Sequence, residues 1–363
     1  MKKIIFTVTN DLTYDQRMQR ICRSLSRAGY VVELVGREHK ASGPLKQEPY
    51  RQKRFRCYFS KGKLFYIEYN LRLLLYLLFQ QADAFCAIDL DTVAPVYLAG
   101  RLKKAKLIYD AHEYFTEVPE VERRPLVQKV WQWVESTFVP RFHLTYTVSQ
   151  GLADLFNTKL HRPFHVIRNV PVKTKSIHHS PNAGPYMLYQ GALNEGRGLE
   201  NLLQAVKELP VQLKLAGEGD LSRQLREQAS QLYLDSKVEF LGFVQPEKLK
   251  AVTANASIGI NILEPAGKSY YYSLANKFFD YVQAGIPQIC IDFPEYRHIN
   301  QQYEVAILVK NTSVSEIKNA VGRLLNDKSL YSQLQGNCAA CAAALNWQNE
   351  EQKLLALYHE LLG

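Results

Sequence analysis

A chain of 363 residues, 47% of them hydrophobic, is long enough for two domains with a core each and too apolar to be disordered. The formal net charge of +10 favours anionic partners, yet no helix-turn-helix, zinc-finger or RNP-like pattern is present, so nucleic acid is not expected. No window supplies the roughly 20 clean apolar residues of a membrane span, and the six scattered cysteines read as reduced thiols, so a cytoplasmic protein is expected, peripheral on the inner membrane face at most.

The opening "MKKIIFTVTNDLTYDQ" holds too short an apolar run for a signal peptide and reads as a first strand. Helix "DQRMQRICRSLSRAG" and strand "VVELVG" follow. Residues 51–63, "RQKRFRCYFSKGK", read either as a solvated basic loop or as a patch for an anionic membrane surface or a lipid phosphate. The apolar "KLFYIEYNLRLLLYLLFQQ" behind them carries Glu68 and Arg72, which makes it a packed or interfacial helix. Strands "AFCAID", "KLIYDAH", "LTYTVS" and "FHVIRN" then alternate with helices such as "VAPVYLAGRLKK" and "LVQKVWQWVESTFV". The polar, aperiodic "VPVKTKSIHHSPNAGP" reads as a linker in which His178 and His179 do no chemistry.

The second half starts afresh with strand "YMLYQG", helix "LENLLQAVKEL", strand "VQLKLAG", helix "LSRQLREQASQL" and strand "KVEFLG". Helix "PEKLKAVTA", strand "SIGINIL", the stretch "KSYYYSLANKFFDYVQAG", strands "PQICID" and "VAILV" and further helices complete it. Such alternation predicts an α/β protein of two Rossmann-like doubly wound parallel sheets facing a cleft. The expected division is an N-terminal domain over 1–170, a linker over 171–184, a C-terminal domain over 185–345 and a last helix over 346–363 packing back on the first domain.

Ligands of doubly wound sheets bind beyond the carboxyl ends of the strands, so the turns there carry the chemistry. "YQGALNEGRGLENLL" sets Gly191, Gly196 and Gly198 around Arg197 before a helix, and "LAGEGD" adds Gly217, Glu218 and Gly219. Glycines let backbone approach a ligand, and arginine offers a fork of donors to phosphate. "KSYYYSLANKFFDYVQAGIP" predicts a helix capped by Ser273 and stopped at Gly285. A pyrophosphate at its start meets the free N–H groups from Ser273 through Leu274 and Ala275 to Asn276, with Lys277 adding charge. Asp280 lies roughly 6–8 Å further along the axis, within reach of ribose hydroxyls. Tyr270, Tyr271 and Tyr272 either pack or stack on a ligand.

In the first half, "DLD" at Asp89–Asp91 ends a strand and suits a loop or acceptor contact better than a metal. Cys338 and Cys341 have CxxC spacing in an alanine-rich run with no second pair or nearby histidine, so no metal site is expected there either.

The blocks "YQG…GRGLENLL", "LAGEGD", "VEFLGFV" and "SLANKFFDYVQAGIPQI", in that order, resemble the C-terminal domain of the retaining glycosyltransferases of family four, which have the glycosyltransferase-B fold. "TNDLTYDQRMQRICRSLSRAGYVVELVGR", "DLDTVAPVYLAGRLKKAKLIYDAHEYFTEVPE", "YTVSQGLADLF" and "VIRNVP" look like a bacterial branch of that family. The resemblance implies metal-independent, cofactor-free transfer of a sugar from a nucleotide sugar to a glycan or a polyprenyl- or other lipid-linked acceptor, in cell-surface polysaccharide or glycolipid synthesis. It places the donor on the C-terminal domain and the acceptor on the N-terminal one.

By the same resemblance Arg197 and Lys277 sit at the diphosphate, and Asp280 takes the second acidic position of an E-x7-E motif that holds the ribose. Phe243 and Val244 lie where the nucleobase meets the chain. His112 of "YDAHE" matches a histidine facing the donor sugar; with Arg197 and Lys277 it completes the expected catalytic set. Asn10 and Asp11 end the first strand where donor or acceptor is met, and Asp91 and Glu113 are assigned to the acceptor side. Two departures stand out: Tyr272 replaces the first Glu of E-x7-E, and Ala192 replaces a common basic residue. The alternatives are a sugar-nucleotide epimerase of the same architecture and an inactive nucleotide-sugar-binding scaffold subunit.

Overall fold

Runs of Ile, Val, Phe, Leu and Ala that are buried on both faces can pair only as the inner strands of parallel sheets, with helices covering each side. The computed structural model describes residues 1–13, 15–40, 42–173 and 184–363. His178, His179 and most of the expected linker lie outside the described residues. The chain divides into two compact units, one of Met1–Asn169 with Asn349–Gly363, the other of Val170–Gln348.

The first unit begins β1 (Lys3–Thr7), α1 (Gln16–Arg27), β2 (Val31–Glu38), β3 (Arg51–Arg56) and α2 (Gly62–Leu78). It continues β4 (Ala84–Ile88), α3 (Val93–Lys103), β5 (Lys106–Ala111), α4 (Pro119–Glu122), α5 (Pro125–Phe138), β6 (Leu144–Thr147), α6 (Gln150–Leu160) and β7 (His165–Val166). The strands form one sheet in the order β3-β2-β1-β4-β5-β6-β7, parallel at every pairing. Asp15 caps α1 by accepting the Met18 N–H, as its place before an apolar-periodic run predicts.

The first half of the basic stretch is a strand and not a loop; residues 57–61 are irregular, with Lys61 exposed. Arg51–Arg56 pairs in register with Glu33–Glu38 as the edge strand β3. Several of the strand's cations have partners within the unit: Arg54 faces Asp11 at 3.3 Å, Arg56 faces Glu38 at 2.9 Å, and Lys53 lies 4.0 Å over the Tyr76 ring. An edge strand has only one neighbour and tolerates such polarity, which also discourages pairing with another chain.

The second unit begins β8 (Tyr186–Gln190), α7 (Leu199–Lys207), β9 (Gln212–Ala216), α8 (Ser222–Gln231), β10 (Val238–Gly242), α9 (Pro246–Ala254) and β11 (Ile258–Asn261). It continues α10 (Gly267–Tyr271), α11 (Asn276–Gln283), β12 (Gln288–Ile291), α12 (Pro294–Tyr303), β13 (Ala306–Val309), α13 (Val314–Asn326) and α14 (Lys328–Ala344). Its sheet runs β10-β9-β8-β11-β12-β13, again parallel throughout. The last helix, α15 (Trp347–Leu362), puts Tyr358 among first-unit aromatics, with ring centroids 6.2 Å from Phe6 and 6.4 Å from Tyr146.

In each sheet the strand order reverses once, beside β1 and β4 in the first unit and beside β8 and β11 in the second. Loops leaving the carboxyl ends there diverge to opposite faces and open a crevice, the usual ligand position in this class of sheet. Among the described residues no helix is long and apolar enough to cross a membrane.

Candidate active site

The crevice of the second unit is built by close backbone approach. Gly191, at φ +132°, follows β8 and donates its N–H to Ala216 at 2.9 Å. Gly217, at φ +150°, follows β9 and donates to Gly242 at 2.8 Å. A Cβ on Gly217 would lie 1.9 Å from the Gly191 carbonyl oxygen, so glycine is required there by packing as well as by backbone conformation. Gly198, at φ +65°, starts α7 with Thr312 against it.

Lys277 reaches into this crevice. The side chain is buried, with its ammonium 3.6 Å over the Tyr189 ring, and a Cβ on Gly191 would be 3.7 Å from it. Among the described residues it forms no ion pair. Burial, and then the nearby Arg197 guanidinium, push the Lys277 pKa well below the ordinary lysine range. Arg197 lies 4.8 Å over the Tyr270 ring with its buried Nε unpartnered. Two basic side chains with no carboxylate paired to them among the described residues, beside glycine turns, make a pocket that an anion completes.

The helix bearing Lys277 begins later than its sequence suggests. Gly267–Tyr271 forms the short α10, and α11 starts only at Asn276. Ser273 is therefore not its cap; Ala275 is, in extended conformation and with no side-chain bond. Burial of Leu274 and the 2.9 Å hydrogen bond from Ala275 N–H to the Tyr296 hydroxyl draw residues 272–275 off the helical path. The result is an N-terminus whose first N–H groups no side chain caps, with the exposed Asn276 at its first position. Asp280 lies about 6 Å along the axis from Asn276, and one of its oxygens accepts from Gln190 Nε2 at 2.7 Å. Gln190 in turn accepts from Thr253 at 2.8 Å, so the carboxylate is aimed by a chain of buried polar groups.

Around this centre, Phe243 projects with 61% exposure after β10, while Val244 packs on the small cluster of Tyr186, Leu188 and Tyr281. Glu218 is turned aside to Arg226 at 3.0 Å. Tyr272 ends α10, edge-on to Tyr271 with ring centroids 5.2 Å apart. Glu264, upstream, donates its N–H to the Gly196 carbonyl at 2.8 Å and so braces the Arg197 loop. Tyr189 and Gln190, which seat Lys277 and Asp280, escaped the sequence reading although the quoted "YQG" contains them; their signal was their place at the carboxyl end of β8.

In the first unit, His112 follows β5 between two carboxylates. Its Nε2 is 3.1 Å from Asp110 and its Nδ1 3.6 Å from Asp89. Burial opposes ionisation, but Asp110 and Asp89 outweigh it and raise the pKa to about 9, so the ring is an imidazolium at neutral pH, with Nε2 donating to Asp110 and Nδ1 facing Asp89 as an ion pair. Asp110 also takes a bidentate bond from the buried Arg17, at 2.8 and 3.2 Å. Asp89, at φ +53°, turns its carboxylate onto the His112 N–H at 2.8 Å. Burial, then the Asp89 charge, raise Asp91 to about 7; Thr9 donates to it. Arg17 gave one sequence signal, an arginine on the inward face of an apolar helix.

Asn10 is exposed. Asp11 is occupied with its own loop. It accepts from Ser42, from the Thr13 hydroxyl and N–H, and from Arg54, and these outweigh burial to hold its pKa at about 2. Glu113 is exposed beside His112. Among the described residues no group of three or more His, Cys, Asp or Glu side chains is arranged to hold a metal ion.

Residues 173–339 match the family model of glycosyl transferases group 1, and residues 14–172 match a glycosyl transferase 4-like domain. No curated protein matches the sequence closely enough to count as a relative. Solved structures share the fold at low identity. Sucrose-phosphate synthase from Thermosynechococcus elongatus superposes with TM-score 0.83 at 16% identity over 99% of each chain. HepE from Anabaena, in complex with UDP-glucose, gives 0.78 at 16% identity over 99% of this chain and 100% of its own. WaaG, a glycosyltransferase involved in lipopolysaccharide biosynthesis, gives 0.73 at 13% identity over 96% of this chain and 98% of its own. Two adjoining domain matches that together span residues 14–339, on two parallel-sheet units of this architecture, identify the chain as a glycosyltransferase of the group 1 type with the glycosyltransferase-B fold.

Proposed function

We propose that this glycosyltransferase belongs to the retaining family four, in a bacterial branch, and moves a sugar from a nucleotide-sugar donor to a glycan or lipid-linked acceptor in cell-surface polysaccharide or glycolipid assembly. The observation that carries the donor half is the buried Lys277 ammonium, unpaired among the described residues and repelled by Arg197. A diphosphate relieves that repulsion, and the uncapped start of α11 adds N–H donors. Asp280, aimed by Gln190, then accepts from a ribose hydroxyl, and Phe243 offers a face to the base. A uridine nucleotide is the first donor class to test, because HepE was solved with UDP-glucose and with UDP and glucose.

In this reading the acceptor hydroxyl attacks from the side on which the diphosphate leaves. The C–O bond to the phosphate breaks as the new glycosidic bond forms, and the departing phosphate oxygen takes the acceptor's proton. No base on the protein is needed, which agrees with an imidazolium at His112. Lys277, Arg197 and the helix start stabilise the charge growing on the leaving group, so no metal is required for that task. The acceptor side falls to Asp91, Glu113, Asn10 and the His112 loop of the first unit.

The test is steady-state kinetics with nucleotide sugars and an acceptor, following nucleoside diphosphate release. Arg197→Ala is expected to lower kcat by about 10²–10³-fold, and Asp280→Ala to weaken donor binding by roughly tenfold. Wild-type kinetics in both variants overturn the placement. Interconversion of two nucleotide sugars without acceptor overturns the reaction class.

A further inference from the structure

A side chain that is to grip phosphate has to be held in place without being neutralised. The common way of fixing a lysine or arginine, an ion pair with Asp or Glu, weakens its field at an incoming anion. In the crevice of the second unit neither basic side chain is fixed that way. The Lys277 ammonium lies 3.6 Å over the Tyr189 ring, and the Arg197 guanidinium 4.8 Å over the Tyr270 ring. The quadrupole of a ring draws a cation to its face and orients it, yet leaves its full charge. Acidic side chains on the surrounding loops are engaged elsewhere. Glu218 faces Arg226 at 3.0 Å, Asp280 accepts from Gln190 at 2.7 Å, and Glu264 accepts from Thr312 at 3.5 Å.

Both seats are built into the fold. Tyr189 is fully buried in β8, and its hydroxyl donates to the Ala192 carbonyl at 2.9 Å. That bond spans the Gly191 turn, so one side chain fixes both the turn and the face offered to Lys277. Burial pushes the phenol up to about 12, so at neutral pH the ring does not become a phenolate counter-charge.

Tyr270 belongs to the short α10, which Tyr271 anchors by packing on Phe293 with ring centroids 5.2 Å apart. The turn that carries Arg197 lies directly on the Tyr270 ring. At Gly196, φ +77°, a Cβ would come 3.2 Å from Tyr270 Cε2, so glycine there lets the turn lie close against the tyrosine. The Gly196 carbonyl is fixed in turn by the Glu264 N–H at 2.8 Å.

We propose that Tyr189 and Tyr270 are positioning residues of the diphosphate clamp, each holding one cation on its ring so that the two meet two phosphate groups at once. This rests on the donor reading above and deepens it. Two cations seated on separate rings suit a nucleoside diphosphate, whereas a monophosphate leaves one of them without its anion. The seats therefore set phosphate-number selectivity as well as affinity.

The test is calorimetric titration of the full chain with UDP and with UMP. Tyr270 is only partly buried, so its variants carry the test without disturbing the centre of the core. Tyr270→Leu is expected to weaken UDP binding about tenfold. It is expected to weaken UMP binding less, so that the ratio of the two affinities falls by about threefold or more. Tyr270→Phe keeps the ring and is expected to bind UDP within about threefold of wild type. At the buried seat, Tyr189→Leu and Tyr189→Phe are expected to divide in the same way. If the wild type takes GDP or ADP instead, that diphosphate and its monophosphate replace the uridine pair. Unchanged affinity in Tyr270→Leu, equal losses on diphosphate and monophosphate, or a Phe variant as impaired as the Leu variant overturns the proposal and leaves the donor reading standing. A wild type that binds no nucleoside diphosphate overturns both.

Discussion

Lys277 is held in an unfavourable state by its surroundings: its buried ammonium lies over the Tyr189 ring, and the Arg197 charge repels it. A cation–π contact offsets part of the desolvation, but the free site still disfavours the charged form. Asp91 is the acidic counterpart in the first unit, 7% exposed and raised from 3.8 to about 7 by burial and by Asp89. Because the native state binds this proton more tightly than the unfolded chain does, folding is favoured at low pH and loses stability as pH rises from about 4 to about 7. Asp91→Asn removes that titration. Its stability relative to wild type, measured by urea denaturation, is expected to increase across this window, by up to about 4 kcal/mol at pH 8. A difference that stays constant from pH 4 to 8 refutes the burial argument for Asp91.

At the scale of elements, the periodic segments were legible and the edges were not. Strands β1, β2, β4, β5 and β6 and those of the second unit announced themselves as β-branched runs between amphipathic helices. Strand β3 did not, since an edge strand whose Arg side chains pair with Asp11, Glu33 and Glu38 has the composition of a loop. The start of α11 was misplaced for another reason. Ser273 is a good cap by type, but the tertiary pull on Leu274 and Ala275 decides the boundary, and no local pattern reports it. The turns after β8 and β9 were legible as glycines but not as a mutual constraint. Gly217→Ala places a methyl group 1.9 Å from the Gly191 oxygen at φ +150°, so it is expected to cost about 2–4 kcal/mol in thermal or urea unfolding. It should also weaken nucleotide binding, because the displaced loop carries the Gly191 approach to Lys277. A variant as stable as wild type contradicts the crossing of those two loops.

At the scale of the molecule, two doubly wound units could be foreseen because each half repeats the alternation of strand and helix, and the candidate residues cluster where each strand order reverses. Within the second unit the foreseen Gly191, Arg197 and Lys277 do meet, and Asp280 is brought to Gln190. What sequence could not reveal is the seating of those groups: Tyr189 under the ammonium, Gln190 on the carboxylate, and Arg17 with Asp110 and Asp89 around His112. These partners are close only after folding, and their residue types are ordinary for strand ends and helix faces.

The account rests on an anion completing the Lys277–Arg197 pocket, and calorimetric titration of the intact protein with UDP in two buffers of different ionisation enthalpy tests that most directly. A lysine whose pKa is depressed in the free protein and restored by a diphosphate takes up a proton on binding at any pH between its free and bound values, so the titration is run across a pH series and affinity should fall as pH rises above the free-state pKa. The expected result is binding with net proton uptake in the wild type, and binding at least tenfold weaker without that uptake in Lys277→Met. Equal affinity and equal proton uptake in the variant, or no binding of UDP or any other nucleoside diphosphate by the wild type, would contradict the account.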